Sequence, residues 1–412
     1  MKQLAGVYLK TAKAMILLSR LKVSFGLKKI MNNNVKIIEN SKLDCSIAEF
    51  KKISFKLESG IEINNFNIAF KTYGVLNKSK DNVILVCHAL TGDQYVTGKN
   101  PLTNKDGWWS RMVGPDKPID TNKFFVICSN VLGGCSGTYG PKEIDQLTQL
   151  PIGENFPSIT IKDMVFAQKN LIDALKIDKI FAVIGGSMGA MQAIQWSIDF
   201  PDRINNVIHI AGALKHSAQN IAFNEVGRQA IMNDSNWSNG SYISKGLIPE
   251  RGLAVARMIA HITYLSDHAM HRKFGRKLQS RDIISFGFDA DFQIESYLRH
   301  QGRSFVDRFD ANSYLYLTRA MDYFDCVKKF SNSIEFPTIS NQHINYLIIS
   351  FTSDWLFPTN ENKEIVKILN YFNRNVSFAE IETDKGHDSF LLDEPDLDMT
   401  INGFLDKNFE KY

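Results

Sequence analysis

Short, unbroken apolar runs restrict the fold of this chain more than any other feature. "NVILVCHAL" (82–90), "KFFVICSNVLGG" (123–134) and "KIFAVIGG" (179–186) each contain one, bounded by polar or turn residues, and "INNVIHIAGA" (204–213) reads as a further buried strand. They are too short for buried helices and lack the alternation of a strand with one wet face. Such runs fit strands buried on both faces of a parallel sheet. A parallel sheet needs helices on its faces, and helical spacing follows in "IKDMVFAQKNLIDALKI" (161–177), where Asp163 suits the positive end of a helix dipole. Strands alternating with helices predict a doubly wound α/β sheet. Upstream, "INNFNIAFKTYG" (63–74) alternates apolar and polar residues, as a half-buried strand does.

The rhythm changes between about residues 217 and 333. Helical segments such as "RGLAVARMIAHITYLSDHAM" (251–270) dominate there, and no buried strand is evident. Strand and helix then alternate again through "INYLIISFTSDW" (344–355), "NENKEIVKILNYF" (360–372), "VSFAEIE" (376–382) and a last helix near 396–409. The expected organisation is an N-terminal extension over 1–49, an α/β core over 50–216 and 334–412, and a helical cap inserted over 217–333.

Composition narrows the class. The 412 residues are 44% hydrophobic and 22% charged, as in a globular protein, and no apolar run reaches the roughly 18–20 residues of a membrane span. Cys45, Cys87, Cys128, Cys135 and Cys326 form no metal or redox spacing, so reduced, mostly buried thiols in a cytoplasmic protein are expected. Seven basic residues and no acid fall within 1–30; removing those seven from the net charge of +4 leaves −3. The body is therefore mildly acidic and does not suggest a nucleic-acid surface. The leader can be read as a secretory segment, an organellar transit segment, or a plain tail ahead of a start at Met31; its short apolar stretch and lysine-rich composition favour the last.

Gly185-Gly186-Ser187-Met188-Gly189 is a G-x-S-x-G pentapeptide between a buried strand and a helix. That context is a nucleophile elbow, a sharp turn that lifts the serine hydroxyl clear of the sheet. Gly185 and Gly189 remove side chains that would crowd it. A phosphate-binding glycine turn is the competing reading of the pentapeptide alone. An elbow serine needs a base and a group to orient it, in the chain order Ser, acid, His. Asp354 in "SFTSDWLFP" and His387 in "ETDKGHDSFL" both follow strand-like runs, where α/β sheets build their sites. The N–H of Met188 is one expected oxyanion donor, and Leu90 in "CHALTGDQYVTG" (87–98) is the best candidate for the second. His88 reads as a loop-shaping hydrogen bonder and His209 as strand packing. His261, His268 and His271 read as packing or surface residues of the helical insert. No metal-ligand set is evident.

With these residues in view, the chain resembles the homoserine O-acetyltransferases of the α/β-hydrolase type. The resemblance rests on "CHALTGDQ", "GWWSRMVGP", "VIGGSMGAMQAIQW", "AQNIAFNEVGRQAI", "RFDANSYLYLTRAMDYFD" and "KGHDSFLL", and spans about residues 50–410. It implies an α/β-hydrolase fold and a two-step reaction. Ser187 takes the acetyl group of acetyl-CoA, a co-substrate rather than a bound cofactor, and the hydroxyl of L-homoserine then receives it. It also implies Arg257 and Asp388 as substrate-binding residues, and a homodimer formed through the cap. A guanidinium suits an amino-acid carboxylate and a carboxylate suits its ammonium. A salt bridge between cap helices is the plainer reading of Arg257; Arg228 and Tyr264 are weaker candidates for the same pocket. Relatives that use succinyl-CoA tend to carry arginine two residues after the catalytic aspartate; here that position is Leu356, which favours acetyl. Ala190, Ser136 and Tyr139 depart from commoner family residues. Three rivals remain open: a succinyl or serine version of the reaction, a hydrolase using water, and a binding protein with an idle triad.

Overall fold

The computed structural model describes residues 31–32, 34–145, 148–326 and 343–410. The leader over 1–30 and the expected boundary near 333 lie outside these residues. The chain opens with β1 (Met31–Asn32), β2 (Val35–Asn40), β3 (Cys45–Lys56) and β4 (Glu62–Tyr73), which pair antiparallel in sequence order. The apolar runs follow as β5 (Val83–Cys87), β8 (Phe125–Ser129), β9 (Ile180–Gly186) and β10 (Ile204–Ile210), each buried along its whole length. The two-residue strands β6 (Val113–Gly114) and β7 (Ile119–Asp120) pair only with each other. β11 (Asn345–Phe351) and β12 (Asn375–Ile381) complete a sheet ordered β1-β2-β3-β4-β8-β5-β9-β10-β11-β12. From β8 to β12 every neighbouring pair is parallel, and long crossover connections join the strands, as parallel pairing requires.

The sheet begins earlier than the sequence pattern suggests. β2 and β3 carry it back to Val35, so the boundary expected between residues 49 and 50 falls inside β3. β3 has no clean alternation, and its register with β4 shifts between Lys51 and Phe55, which hides the strand from a period-two reading.

Helices cover both faces. α1 (Ile161–Ala174) starts with a capping box: the Thr160 hydroxyl accepts from the Asp163 N–H, and the Asp163 carboxylate accepts from the Thr160 N–H. Leu171 and Ile172 of α1, with Met191 and Ile194 of α2 (Met188–Asp199), join the core on one face. α8 (Thr359–Tyr371) adds Ile365 and Leu369 there, whereas Leu397, Ile401 and Leu405 of α9 (Pro395–Phe409) pack with Trp109 and Phe181 on the other.

Between β10 and β11 lie α3 (Ala218–Met232), α4 (Glu250–Tyr264), α5 (Asp267–Lys273), α6 (Gln293–Val306) and α7 (Ala311–Tyr323). α4 packs on both α3 and α6. The single helix expected over 251–270 is broken at Leu265, which is extended, and Ser266 restarts the chain as the N-cap of α5 by accepting from the Ala269 N–H. No helix among the described residues is long and apolar enough to cross a membrane.

Candidate active site

Four loops meet beyond the carboxyl ends of the parallel strands, where open α/β sheets place their sites. Ser187 follows β9, Leu90 follows β5, Asp354 follows β11 and His387 follows β12. Ser187 adopts φ 58° and ψ −124°, a left-handed conformation that glycine favours. Its N–H donates to the Ile210 carbonyl at 3.0 Å, and its own carbonyl accepts from Ala190 at 2.9 Å, so hydrogen bonds on both sides enforce the turn. The flanking glycines are needed for close approach. A Cβ on Gly189 would stand 2.1 Å from the Cys87 carbonyl oxygen, and one on Gly185 would stand 2.3 Å from the Gly189 carbonyl. The methyl of Ala190 is fully buried against Gly212.

Asp354 and His387 are brought together. His387 Nδ1 lies 2.8 Å from Asp354 Oδ2, and both side chains are almost completely buried. The other carboxylate oxygen accepts from the N–H groups of Leu356 and Phe357, each at 2.9 Å, which locks the carboxylate plane. A carboxylate only accepts, so Nδ1 carries the proton and Nε2 is left with a lone pair. The ring packs among Phe357, Phe390 and Tyr264, with centroids 5.2, 5.6 and 5.9 Å away. Ser187, Phe357 and Tyr264 line one cleft, so serine and imidazole share neighbours. Burial opposes the charged imidazolium, but the charge and hydrogen bond of Asp354, with the charge of Asp388, outweigh it and lift the pKa above its ordinary 6.5. Only the neutral ring can take a proton. The acyl-transfer rate is therefore expected to fall in acid with a midpoint above pH 6.5, read from kcat/KM for the acyl donor; a limb centred below pH 6 would contradict this.

Met188 is the first residue of α2, so its N–H has no acceptor within the helix. Leu90 is buried and lines the cleft. His88 supports that loop as a hydrogen bonder: Nδ1 is 2.8 Å from the Ala89 carbonyl and Nε2 accepts from the Val131 N–H at 3.1 Å. Burial pushes its pKa down to about 4, and that of His209, within β10, likewise, so both rings are neutral.

Arg257 on α4 donates to the Thr91 hydroxyl at 3.3 Å, and its guanidinium lies over Phe305 and Tyr264 at 4.8 and 5.6 Å. Among the described residues no carboxylate forms an ion pair with it, so the salt bridge between cap helices is absent there. Arg228 is the residue so engaged: it is buried and meets Asp322 at 2.7 Å and Glu225 at 2.9 Å. Asp388 follows His387 directly. Burial raises its pKa, against the lowering charges of His387 and Arg257. Leu356 lines the cleft, whereas Ser136 and Tyr139 do not.

Two contacts escaped sequence reasoning. Arg308 donates to the Thr91 carbonyl at 3.0 Å, so two arginines from the helical segment hold the loop after Leu90. His216, another lining residue, pairs with Asp322 at 2.9 Å. The helical segment also braces the acid and base loops. Trp355 donates to the Leu265 carbonyl at 2.9 Å, Ser266 donates to the Asp384 carbonyl, and the Gly386 backbone lies directly against Tyr264 and Ser266. Among the described residues the cysteines form no disulfide, and no group of three or more metal-ligating side chains occurs.

The chain matches the family model of the alpha/beta hydrolase fold over residues 82–394. It is 57% identical over 351 residues to a homoserine O-acetyltransferase of Rhodospirillum rubrum, covering 85% of this chain and 90% of that one. A crystal structure of homoserine O-acetyltransferase from Bacillus anthracis superposes with a TM-score of 0.79 at 26% identity, covering 91% of this chain and 98% of the other. The crystal structure of esterase E22 superposes with a TM-score of 0.78 at 30% identity, covering 88% and 100%. An elbow serine, a buried Asp–His pair and this level of identity agree: the chain belongs to the homoserine O-acetyltransferase family of α/β-hydrolase-fold proteins.

Proposed function

We propose that this protein moves the acetyl group of acetyl-CoA to the hydroxyl of L-homoserine through a Ser187 acyl-enzyme, giving O-acetyl-L-homoserine and CoA for methionine biosynthesis. The observation that carries the reading is a serine cleft beside a buried Asp–His pair, an arginine that forms no ion pair among the described residues and a buried aspartate, in a chain 57% identical to a homoserine O-acetyltransferase. Ser187 attacks the thioester carbonyl while His387 Nε2 takes its proton, and the N–H groups of Met188 and Leu90 receive the oxyanion. The thiolate of CoA leaves with that proton. Homoserine then enters, its carboxylate gripped by Arg257 and its ammonium by Asp388. His387 takes the proton of the incoming hydroxyl, and the second tetrahedral intermediate collapses to the ester and free Ser187.

The cleft favours a small acyl group. No lysine or arginine is among its described lining residues, and Leu356 stands where a succinyl carboxylate would want a cation. Burying that carboxylate unpaired would cost several kcal/mol. The protein acts in the cytoplasm as a homodimer joined through its helical segment. Exposed Ile221, Val226, Val255 and Ile262 on α3 and α4 suit that face.

The likeness to esterase E22 favours one second reading, acyl transfer to water. Thiol release from acetyl-CoA or succinyl-CoA, each with homoserine, serine or neither, separates the readings. Sustained release is expected only with acetyl-CoA and homoserine. Equal rates with and without homoserine would overturn the transferase reading, and faster release from succinyl-CoA would overturn the choice of donor.

A further inference from the structure

His216 lies between β10 and α3, on the wall of the cleft that also holds Ser187 and Leu356. Its side chain is only 2% exposed. Nδ1 is 2.9 Å from Asp322 Oδ1 on α7. The carboxylate also accepts from Asn224 Nδ2 at 2.8 Å and faces Arg228 Nη1 at 2.7 Å. Burial opposes its charge, but His216, Asn224 and Arg228 outweigh that and hold Asp322 below the usual carboxylate range. An ionised Asp322 obliges Nδ1 to donate. In the neutral form of the ring Nε2 is then a bare acceptor, and this buried atom has no hydrogen-bond partner among the described residues.

Two buried His–Asp pairs thus lie close to the lining residue Phe357. Both rings lie near Phe357, whose centroid is 5.2 Å from His387 and 5.8 Å from His216. The first pair is accounted for by Ser187. The second, whose histidine lines the cleft, has no part in the proposed proton transfers. A buried acceptor without a donor is destabilising, and structures retain few of them without a use. An N–H on a ligand would satisfy it. The thiol arm of CoA carries an amide N–H two methylenes from the sulfur, so a thioester in this cleft brings that donor with it.

We propose that His216, fixed by Asp322, is a binding residue for the acyl donor, its Nε2 accepting the amide N–H nearest the thioester sulfur. The inference rests on the acyl-CoA reading above. His216 selects pantetheine-type thioesters over simple ones, a discrimination that the Ser187–His387–Asp354 set cannot provide.

Two small donors test it: S-acetyl-N-acetylcysteamine, which keeps the amide, and S-butyl thioacetate, which lacks it. Thiol release is followed with homoserine present. The wild-type protein is expected to favour the amide-bearing donor by about tenfold or more in kcat/KM, because a site built around a hydrogen bond rejects the analogue without it. In His216→Leu that preference should shrink to within about threefold, with His216→Gln, whose carbonyl can still accept, lying between. General damage lowers both donors together and leaves the ratio intact, which a merely structural role for His216 would produce. A wild-type protein with no preference, or a leucine variant that keeps the full ratio, overturns the inference. The first result holds whether or not either variant folds. Acetyl transfer from acetyl-CoA to homoserine by the wild type, measured alongside, shows whether the underlying reading has failed too.

Discussion

Ser187→Gly is expected to lose acyl transfer by about 10⁶-fold and yet melt at a higher temperature than the wild type. The loss follows from removing the only atom that can carry the acyl group in the proposed reaction. The gain follows from the backbone. At φ 58° and ψ −124° a residue with a Cβ is strained, by about 1–3 kcal/mol in such regions. Glycine relieves that strain and returns roughly 0.5–1 kcal/mol through its greater freedom in the unfolded chain. A net gain on the order of 1 kcal/mol corresponds to about 1–2 °C in a protein of this size. Thiol release and a thermal melt of the same preparation check both halves. A variant that melts below the wild type would mean that the turn carries no strain worth relieving.

Asp354→Asn is expected to cost about 10³–10⁴-fold in kcat, with the fold intact. The Asp354 oxygen that accepts from Leu356 and Phe357 dictates how asparagine must sit, because only the amide oxygen can replace it. The amide NH₂ then faces His387 Nδ1 and can only donate. The ring is driven into the tautomer with its proton on Nε2, and it can no longer take one from Ser187. An unchanged circular dichroism spectrum with a rate within tenfold of wild type would show that Asp354 does not set this tautomer.

Much of this architecture can be read from the chain because the informative signals are local. A short apolar run bounded by turns needs no knowledge of its neighbours to be a buried strand, and β5, β8 and β9 are built on such runs, whereas β10 carries Asn205, Asn206 and His209 among its apolar residues. The order Ser187, Asp354, His387 is equally visible, because each follows a strand and the elbow pentapeptide anchors the first. What escapes is set by distant partners. His216 is an ordinary histidine until Asp322, 106 residues away, is placed beside it. Arg308 acquires meaning only from Thr91, 217 residues earlier. β2 and β3 escape for another reason: antiparallel strands with mixed exposure, and a register shift between β3 and β4, leave no clean period. The break at Leu265 was legible after all, since Ser266-Asp267 is an N-cap signal within an otherwise continuous helical pattern.

The hydrogen bonds from Trp355 to Leu265 and from Ser266 to Asp384, with Gly386 packed against the same junction, tie the loops of Asp354 and His387 to the join between α4 and α5. Stability at these two loops is therefore drawn from the inserted helices as well as from the strand ends that the loops follow. Local opening of the α4–α5 junction would release acid and base together while the ten-stranded sheet stayed closed. The insertion is in this sense part of the catalytic unit: a sheet folded without it would still present its serine, but the loops of the acid and base would lose the two hydrogen bonds and the packing that the inserted helices give them.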